Sequence, residues 1–406
     1  MAAALAAALS VGLVAAGSGS AWAVPREKTV DQLVDKRISN PRLGNSVGLL
    51  AVDAATGEVL SEHDSTRRML PASNMKIVTA VTALAALGAD HRFTTRVRGG
   101  AMPGEIILEG GGDPLLSTKE LRQLATQTAA TVPAGTPVTL YVDDNLFPAD
   151  GRGPGWTTRY IPSVASSVHA LARVWDYSTD PSANAAAVFA KKLRAKGFPV
   201  TIAGAAEAGE APVIAETKGH TVDEAVRIML RISENNVAEV LYRQVALAAG
   251  QPGDWRGART AAEQVLTGLG IDTSRTRILD GSGLSRRDRV TPQFLVDVLR
   301  MAKVTNPEPF RVMFEDDAMP ISGVSGTLDD RYGRFITKRA RCAAGDVKAK
   351  TGTLFDTISL SGVAASDGSP ERIFSILVND RPQRYSALTV RQAVDGLTAT
   401  IAGCWR

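Results

Sequence analysis

The sequence predicts an α+β fold in which the two ends of the chain build one sheet-based domain and a second domain is inserted between them. Strand patterns near residues 46–62 return only at 346–378. The intervening block from about 91 to 218 has its own texture, with short strand-like pieces between glycine-rich turns. At 406 residues the chain also exceeds the roughly 250–300 residues that one hydrophobic core usually serves. With 44% hydrophobic and 22% charged residues and a formal net charge of +4, the composition is that of a soluble globular protein. Collagen, extended disorder and a multi-span membrane protein are excluded, and so small a positive excess gives no reason to expect a nucleic-acid partner.

Taken in order, the first 23 residues hold no charged side chain and run from an apolar stretch into Ala21-Trp22-Ala23, the pattern of a secretory signal with cleavage after Ala23. The apolar run is short of the ~20 residues a membrane span needs. The usual basic n-region is missing, since Arg26 is the first basic residue, so a start upstream of Met1 stays open. The expectation is an exported, extracytoplasmic protein, membrane-associated only if the signal is retained. An oxidising compartment would let Cys342 and Cys404 pair, a bond worth on the order of 4 kcal/mol in the chain-entropy model. The four histidines, at 63, 91, 169 and 220, show no i, i+4 pair, so a histidine metal site is unsupported, and the serine chemistry read below needs no metal or organic cofactor.

After the signal, Ser46–Asp53 and Gly57–Glu62 read as a hairpin around Ala54–Gly57. The alanine-rich run from Ser73 to Leu87 reads as a buried helix closed by Gly88. Helices are expected near Lys119–Ala129 and Ala185–Lys196 within the middle block. Val226, Met229, Leu230, Val237, Val240 and Leu241 recur at helical spacing and predict one helix over Val222–Leu247. A further helix at Thr291–Lys303, strands at Asp346–Leu354, Ile358–Ala364 and Arg372–Val378, and a last helix at Tyr385–Ile401 complete the chain. There is no internal repeat.

Three short motifs carry chemistry. Ser73-Asn74-Met75-Lys76 opens the buried helix, placing Ser73 and Lys76 on one face. A serine hydroxyl is a poor nucleophile alone, but an uncharged amine one turn away can take its proton. Ser233-Glu234-Asn235 falls inside the helical pattern at 222–247, where Ser233 would not serve as a cap and so needs another role. The similar Ser182-Ala183-Asn184 is better explained as a cap before the next helix. Lys350-Thr351-Gly352-Thr353 lies in a strand: the lysine offers fixed charge to a carboxylate, the threonines hydrogen bonds, and glycine close approach to a backbone, if it is not simply a bulge. A substrate could add as a strand on this edge. Lys350 beside Lys76 would lower the amine pKa of Lys76.

In this order and context the three motifs resemble those of the penicillin-interacting serine D,D-peptidases, the group of penicillin-binding proteins and class A β-lactamases. The spacing of Ser73 and Ser233 (233 − 73 = 160 residues) is similar to the type-4 carboxypeptidase/endopeptidase subfamily, which carries a domain between those motifs. Leu108–Pro114, Gly153–Trp156 and Asp280–Arg286 match as well. The resemblance implies a catalytic domain of residues 24–90 plus 219–406 on the serine β-lactamase/D,D-peptidase fold, an antiparallel sheet flanked by helices, with 91–218 inserted. It implies Ser73 as acylated nucleophile, Lys76 as base, Ser233 and Asn235 as relay and orienting pair, and Lys350 with Thr351 as carboxylate anchor. The backbone N–H groups of Ser73 and Thr353 would form the oxyanion hole, with Gly352 between the anchor and that hole. A subsite for the charged stem-peptide side chain maps onto Arg286 and Asp143, with Asp144 equally placed. The implied substrates are peptidoglycan stem peptides and the implied inhibitors β-lactams. A non-catalytic peptidoglycan-binding protein on the same fold, or a serine β-lactamase or esterase, are the alternative readings. Glu234 stands where aspartate is common and is expected to point away from the nucleophile.

Overall fold

The structure is a computed structural model and describes residues 29–148, 151–366 and 368–404; the expected signal at 1–23 lies outside them. A five-stranded sheet is made from both ends of the chain, in the order β10 (Val347–Thr353), β11 (Ile358–Ala364), β12 (Arg372–Asn379), β1 (Ser46–Asp53), β2 (Val59–His63), and every pair is antiparallel. Successive side chains of a strand point to opposite faces, and both faces of this sheet are covered. Leu50 and Val52 of β1 join one core; Val47, Leu49 and Ala51 join the other.

The first core packs the sheet against α2 (Met75–Leu87), α5 (Val222–Ile232), α6 (Asn235–Ala248), α7 (Trp255–Gly268) and α8 (Pro292–Arg300). The second packs it against α1 (Val30–Ile38) and α9 (Ala387–Ile401). Helix α2 is buried on all sides from Met75 to Leu84 and stops at Gly88, whose φ of 82° suits glycine. A capping box of Thr221 and Glu224 opens α5, and Ser386 caps α9.

Between α2 and α5 the chain leaves through β3 (Arg92–Phe93) and returns through β9 (His220–Thr221), which pair as an antiparallel ribbon. Beyond it a second five-stranded sheet, ordered β7 (Val200–Ala205), β6 (Val138–Asp143), β5 (Glu105–Glu109), β4 (Arg96–Gly99), β8 (Val213–Glu216), packs against α3 (Thr118–Thr131) and α4 (Pro181–Arg194) around a separate core. Its β5–β6 and β6–β7 pairs are parallel, joined through α3 and α4.

Three expectations are corrected. The pattern over Val222–Leu247 is two helices, because Ser233 sits in the left-handed region (φ 63°, ψ 37°) and ends α5. Helix α4 begins at Pro181 with Asp180 as its cap, so Ser182 lies in the first turn. Helix α8 ends at Arg300, and one π-helical turn, Met301–Thr305, follows it. Cys342 and Cys404 form a disulfide with Cα atoms 6.1 Å apart, tying the end of α9 to the turn before β10.

Candidate active site

Ser73 stands in a 3₁₀ turn, Ala72–Asn74, at the entrance to α2. The residue before it, Ala72, has a positive φ of 49°, and such strain in a residue with a Cβ persists where the surroundings over-determine it. The constraint is Gly283 of the Asp280–Arg286 loop, where a Cβ would lie 1.8 Å from the Ala72 carbonyl oxygen. On the other side a Cβ at Gly352 would meet Pro71 O and Ser73 N at 3.0 Å and Ser359 Oγ at 2.1 Å. Gly352 is therefore no bulge, since its pairing with Ser359 continues the β10–β11 register; it lets the strand lie against the nucleophile's own turn. The Asn74 amide closes this joint when its nitrogen donates to Ser359 Oγ (3.0 Å) and the Lys350 carbonyl (2.9 Å) and its oxygen accepts from the Ser361 N–H (3.1 Å).

One turn into α2, Lys76 is fully buried, and its Nζ reaches Ser73 Oγ (3.1 Å), Asn235 Oδ1 (2.7 Å) and the Ser282 carbonyl (3.0 Å). Burial lowers this amine to about 8, against the opposing charges of Glu239, Glu234 and Asp280. The sequence assigned that lowering to Lys350, whereas burial is its chief cause. Lys350 is itself pushed well below the usual lysine value, first by burial and then by Lys76.

The break at Ser233 turns its hydroxyl toward β10, where Lys350 Nζ donates to Ser233 Oγ (2.9 Å) and to the Thr351 carbonyl (2.8 Å). Asn235 opens α6; its Nδ2 donates to the Val164 carbonyl (2.7 Å) while its oxygen faces Lys76. Glu234 turns the other way, capping α6 through the Val237 N–H (2.8 Å) and accepting from Tyr177 (2.6 Å). The two lysines, two serines and Asn235 thus converge from α2, the α5–α6 junction and β10.

Ser73, Ser233 and Asn235 line a cleft of about 670 Å³ together with Tyr160, Leu284, Thr351, Gly352, Thr353, Phe355, Arg381 and Arg391, while the two lysines are buried. Strand β10 is an edge of its sheet. Leu354 and Thr357 exchange backbone bonds across the hairpin, and the Ala349 N–H donates outward to Pro320. By the alternation of an antiparallel ladder the N–H groups of Thr351 and Thr353 then also point outward along the cleft. Thr351 Oγ1 meets Thr327 Oγ1 (2.7 Å), and Thr353 Oγ1 accepts from Arg391 (3.2 Å).

Two predicted subsite residues are not brought to this constellation in the expected way. The Asp143 carboxylate accepts from the N–H groups of Asn145 (3.0 Å) and Ala208 (2.7 Å) in the second sheet, and it lines another cavity together with Arg92 and Gln244. Asp144 binds the Leu171 N–H and His169. Arg286 does come near, beside Tyr160, but both terminal nitrogens are held by Asp356 (2.8 and 2.6 Å). The sequence reading passed over Asn74, Glu239 and Asp356. Only Asn74 carried a signal, a polar residue at the head of an otherwise apolar helix.

Among the described residues one group, Asp113, Glu120 and His220, has metal-ligand composition and proximity. It lies at the β3–β9 joint, outside the cleft, and its atoms hydrogen-bond one another and the backbone.

The fold and the placement of a serine, a buried amine and a second serine–lysine pair in one cleft define an active-site-serine hydrolase. The chain belongs to the D-Ala-D-Ala carboxypeptidase 3 (S13) family, which its residues 30–170 and 161–401 match. It is 32% identical over 90% of its length to Carboxypeptidase DacB of Mycolicibacterium smegmatis, covering 82% of that protein. It is 29% identical over 91% of its length to the D-alanyl-D-alanine carboxypeptidase of an Actinomadura species, covering 84% of it. The crystal structure of penicillin binding protein 4 from Haemophilus influenzae superposes with a TM-score of 0.77 at 21% identity, covering 91% of this chain and 99% of that one.

Proposed function

We propose that Ser73, with Lys76 as its base, is the nucleophile of a serine D,D-peptidase that cleaves the terminal D-Ala-D-Ala bond, or a D-amino-acid cross-link, of peptidoglycan stem peptides. The observation that carries this reading is the buried Lys76 amine, which touches Ser73 Oγ and Asn235 Oδ1 together. As a free amine it accepts the Ser73 proton while the serine oxygen bonds to the substrate carbonyl carbon. The resulting oxyanion is held by the N–H groups of Ser73 and Thr353. Collapse expels the D-alanine or amine, which takes up a proton through Ser233 and Lys76, and water then releases the acyl group. The substrate lies as an added strand along β10. Its carboxylate meets Lys350 and Thr351, and the arriving anion favours the ammonium form of Lys350 against the effect of burial. β-Lactams, with an amide beside a carboxylate, acylate the same serine. The family membership argues against the β-lactamase and non-catalytic readings.

The low-charge, alanine-rich start and the disulfide support export. No helix of the described residues is long and apolar enough to cross a membrane. The test is labelling with a fluorescent penicillin: Ser73→Ala is expected to keep the fold and lose all covalent label, and persistent label would point to another nucleophile. Mass spectrometry of defined muropeptides then separates the activities. Release of D-alanine marks a carboxypeptidase, and conversion of dimers to monomers an endopeptidase.

A further inference from the structure

Glu239 lies one turn beyond Asn235 on α6 and is fully buried, an expensive place for a carboxylate without partners. Its partners are two successive backbone N–H groups of the Asp280–Arg286 loop: Gly281 N donates to one oxygen (2.9 Å) and Ser282 N to the other (2.8 Å). The carbonyls of the same two residues face the opposite way, into α2. Thr79 Oγ1 donates to Gly281 O (2.6 Å), and Lys76 Nζ donates to Ser282 O (3.0 Å). The turn is thereby gripped at its N–H side by a carboxylate and at its carbonyl side by the helix that carries the nucleophile and its base. Both carboxylate oxygens act as acceptors, the arrangement an ionised group takes.

We propose that Glu239 is a positioning residue for Lys76, fixing the Ser282 carbonyl against the amine and placing an opposing charge that sets how readily the amine gives up its proton. The inference rests on the reading of Lys76 as the base for Ser73. Other charged groups face the same space: Asp280 and Asp288 from the loop, Glu234 from the α6 cap and Lys350 from β10, with the Tyr242 hydroxyl alongside. Glu239 is the strongest of the opposing charges on Lys76; burial and Asp280 push its own pKa up, the Gly281 and Ser282 N–H groups oppose that rise by holding the carboxylate, and the two side chains exchange protons as a linked pair. An ionised Glu239 favours the ammonium form. Removing that charge lowers the Lys76 pKa and makes the free amine available at lower pH.

The test is the rate of acylation by a fluorescent penicillin, followed from about pH 5 to pH 10 in the wild type, Glu239→Gln and Glu239→Asp. In the wild type the rate is expected to rise with pH through about 8. In Glu239→Gln the rising limb is expected to move about one unit toward acid. Normalised to each plateau, that is about a tenfold gain at pH 6, while the plateau itself falls because one N–H of the turn loses its acceptor. In Glu239→Asp the charge stays but is withdrawn by a methylene, so the limb is expected to hold and the plateau to drop. A Glu239→Gln limb at the wild-type position with only a lower plateau would reduce Glu239 to a structural role and overturn the proposal. Should thermal unfolding show that Glu239→Gln does not fold, Glu239→Asp decides, and an unchanged plateau in it is the overturning result. The Ser73→Ala control separates the two levels, because label persisting there removes the reading of Ser73 itself, whatever the limb does.

Discussion

Ser233 shows how a single residue trades backbone stability for placement. The left-handed conformation costs a residue with a Cβ about 1–2 kcal/mol, yet it is this conformation that ends α5 and aims the hydroxyl at Lys350. Two substitutions separate the terms. Ser233→Ala loses the hydroxyl and keeps the strain; Ser233→Gly loses both, at some entropic cost in the unfolded chain. Thermal unfolding is expected to find Ser233→Gly more stable than Ser233→Ala by about 0.5–1 kcal/mol. Penicillin labelling is expected to be at least about tenfold slower in both variants than in the wild type. Equal stabilities would mean that the backbone at 233 relaxes without effort, and the strain argument would fail.

At the scale of elements, the site depends on β10 lying hard against the turn that presents Ser73. Gly352→Ala tests that contact, since a Cβ there would come within 2.1 Å of Ser359 Oγ and 3.0 Å of Ser73 N. The expected outcome is a folded protein whose acylation falls by about tenfold or more, with the strand displaced from the turn; wild-type labelling would show that the close approach is dispensable. Much of this arrangement was legible beforehand. Period-two alternation and turn residues located β1, β2 and β10–β12, and the apolar run after Ser73 located α2. The break in the 222–247 pattern was hidden because Leu230 and Val237 are spaced as on a continuous helix, and a backbone kink leaves no trace in hydrophobic periodicity. Glu239 was equally silent. Its burial is balanced by N–H groups from a loop more than forty residues later in the chain, and spacing along a helix carries no record of such a partner. Helix α1, only nine residues long, and helix α7, whose buried side is mostly alanine and glycine, were also missed.

For the whole molecule, the segment leaving through β3 and returning through β9 is more than an appendage. Val164 O, Pro154 O and the Trp156 indole, all from that segment, bind Asn235, Ser285 and Asp280 beside the cleft. Its entry and exit are joined at His220, where Nδ1 meets Asp113 Oδ2 (3.0 Å) and Glu120 Oε1 (3.4 Å). The hydrogen bond that His220 donates to Asp113 raises the His220 pKa above its ordinary 6.5, with the charges of Asp113, Glu120 and Glu224 adding to it against partial burial. A group raised in the folded state binds its proton more tightly there than in the unfolded chain. Its contribution is therefore complete below pH 6.5 and disappears as pH rises through the folded value. His220→Gln can keep an N–H for Asp113 but carries no charge. The melting temperature of the wild type should exceed that of His220→Gln most clearly at acid pH, with the gap closing as pH rises through the raised folded-state pKa. A gap that stays constant across this range would assign the joint to packing and neutral hydrogen bonds alone. A gap that closes would show that charge at this joint helps to hold the segment between β3 and β9, and with it one wall of the cleft, in place.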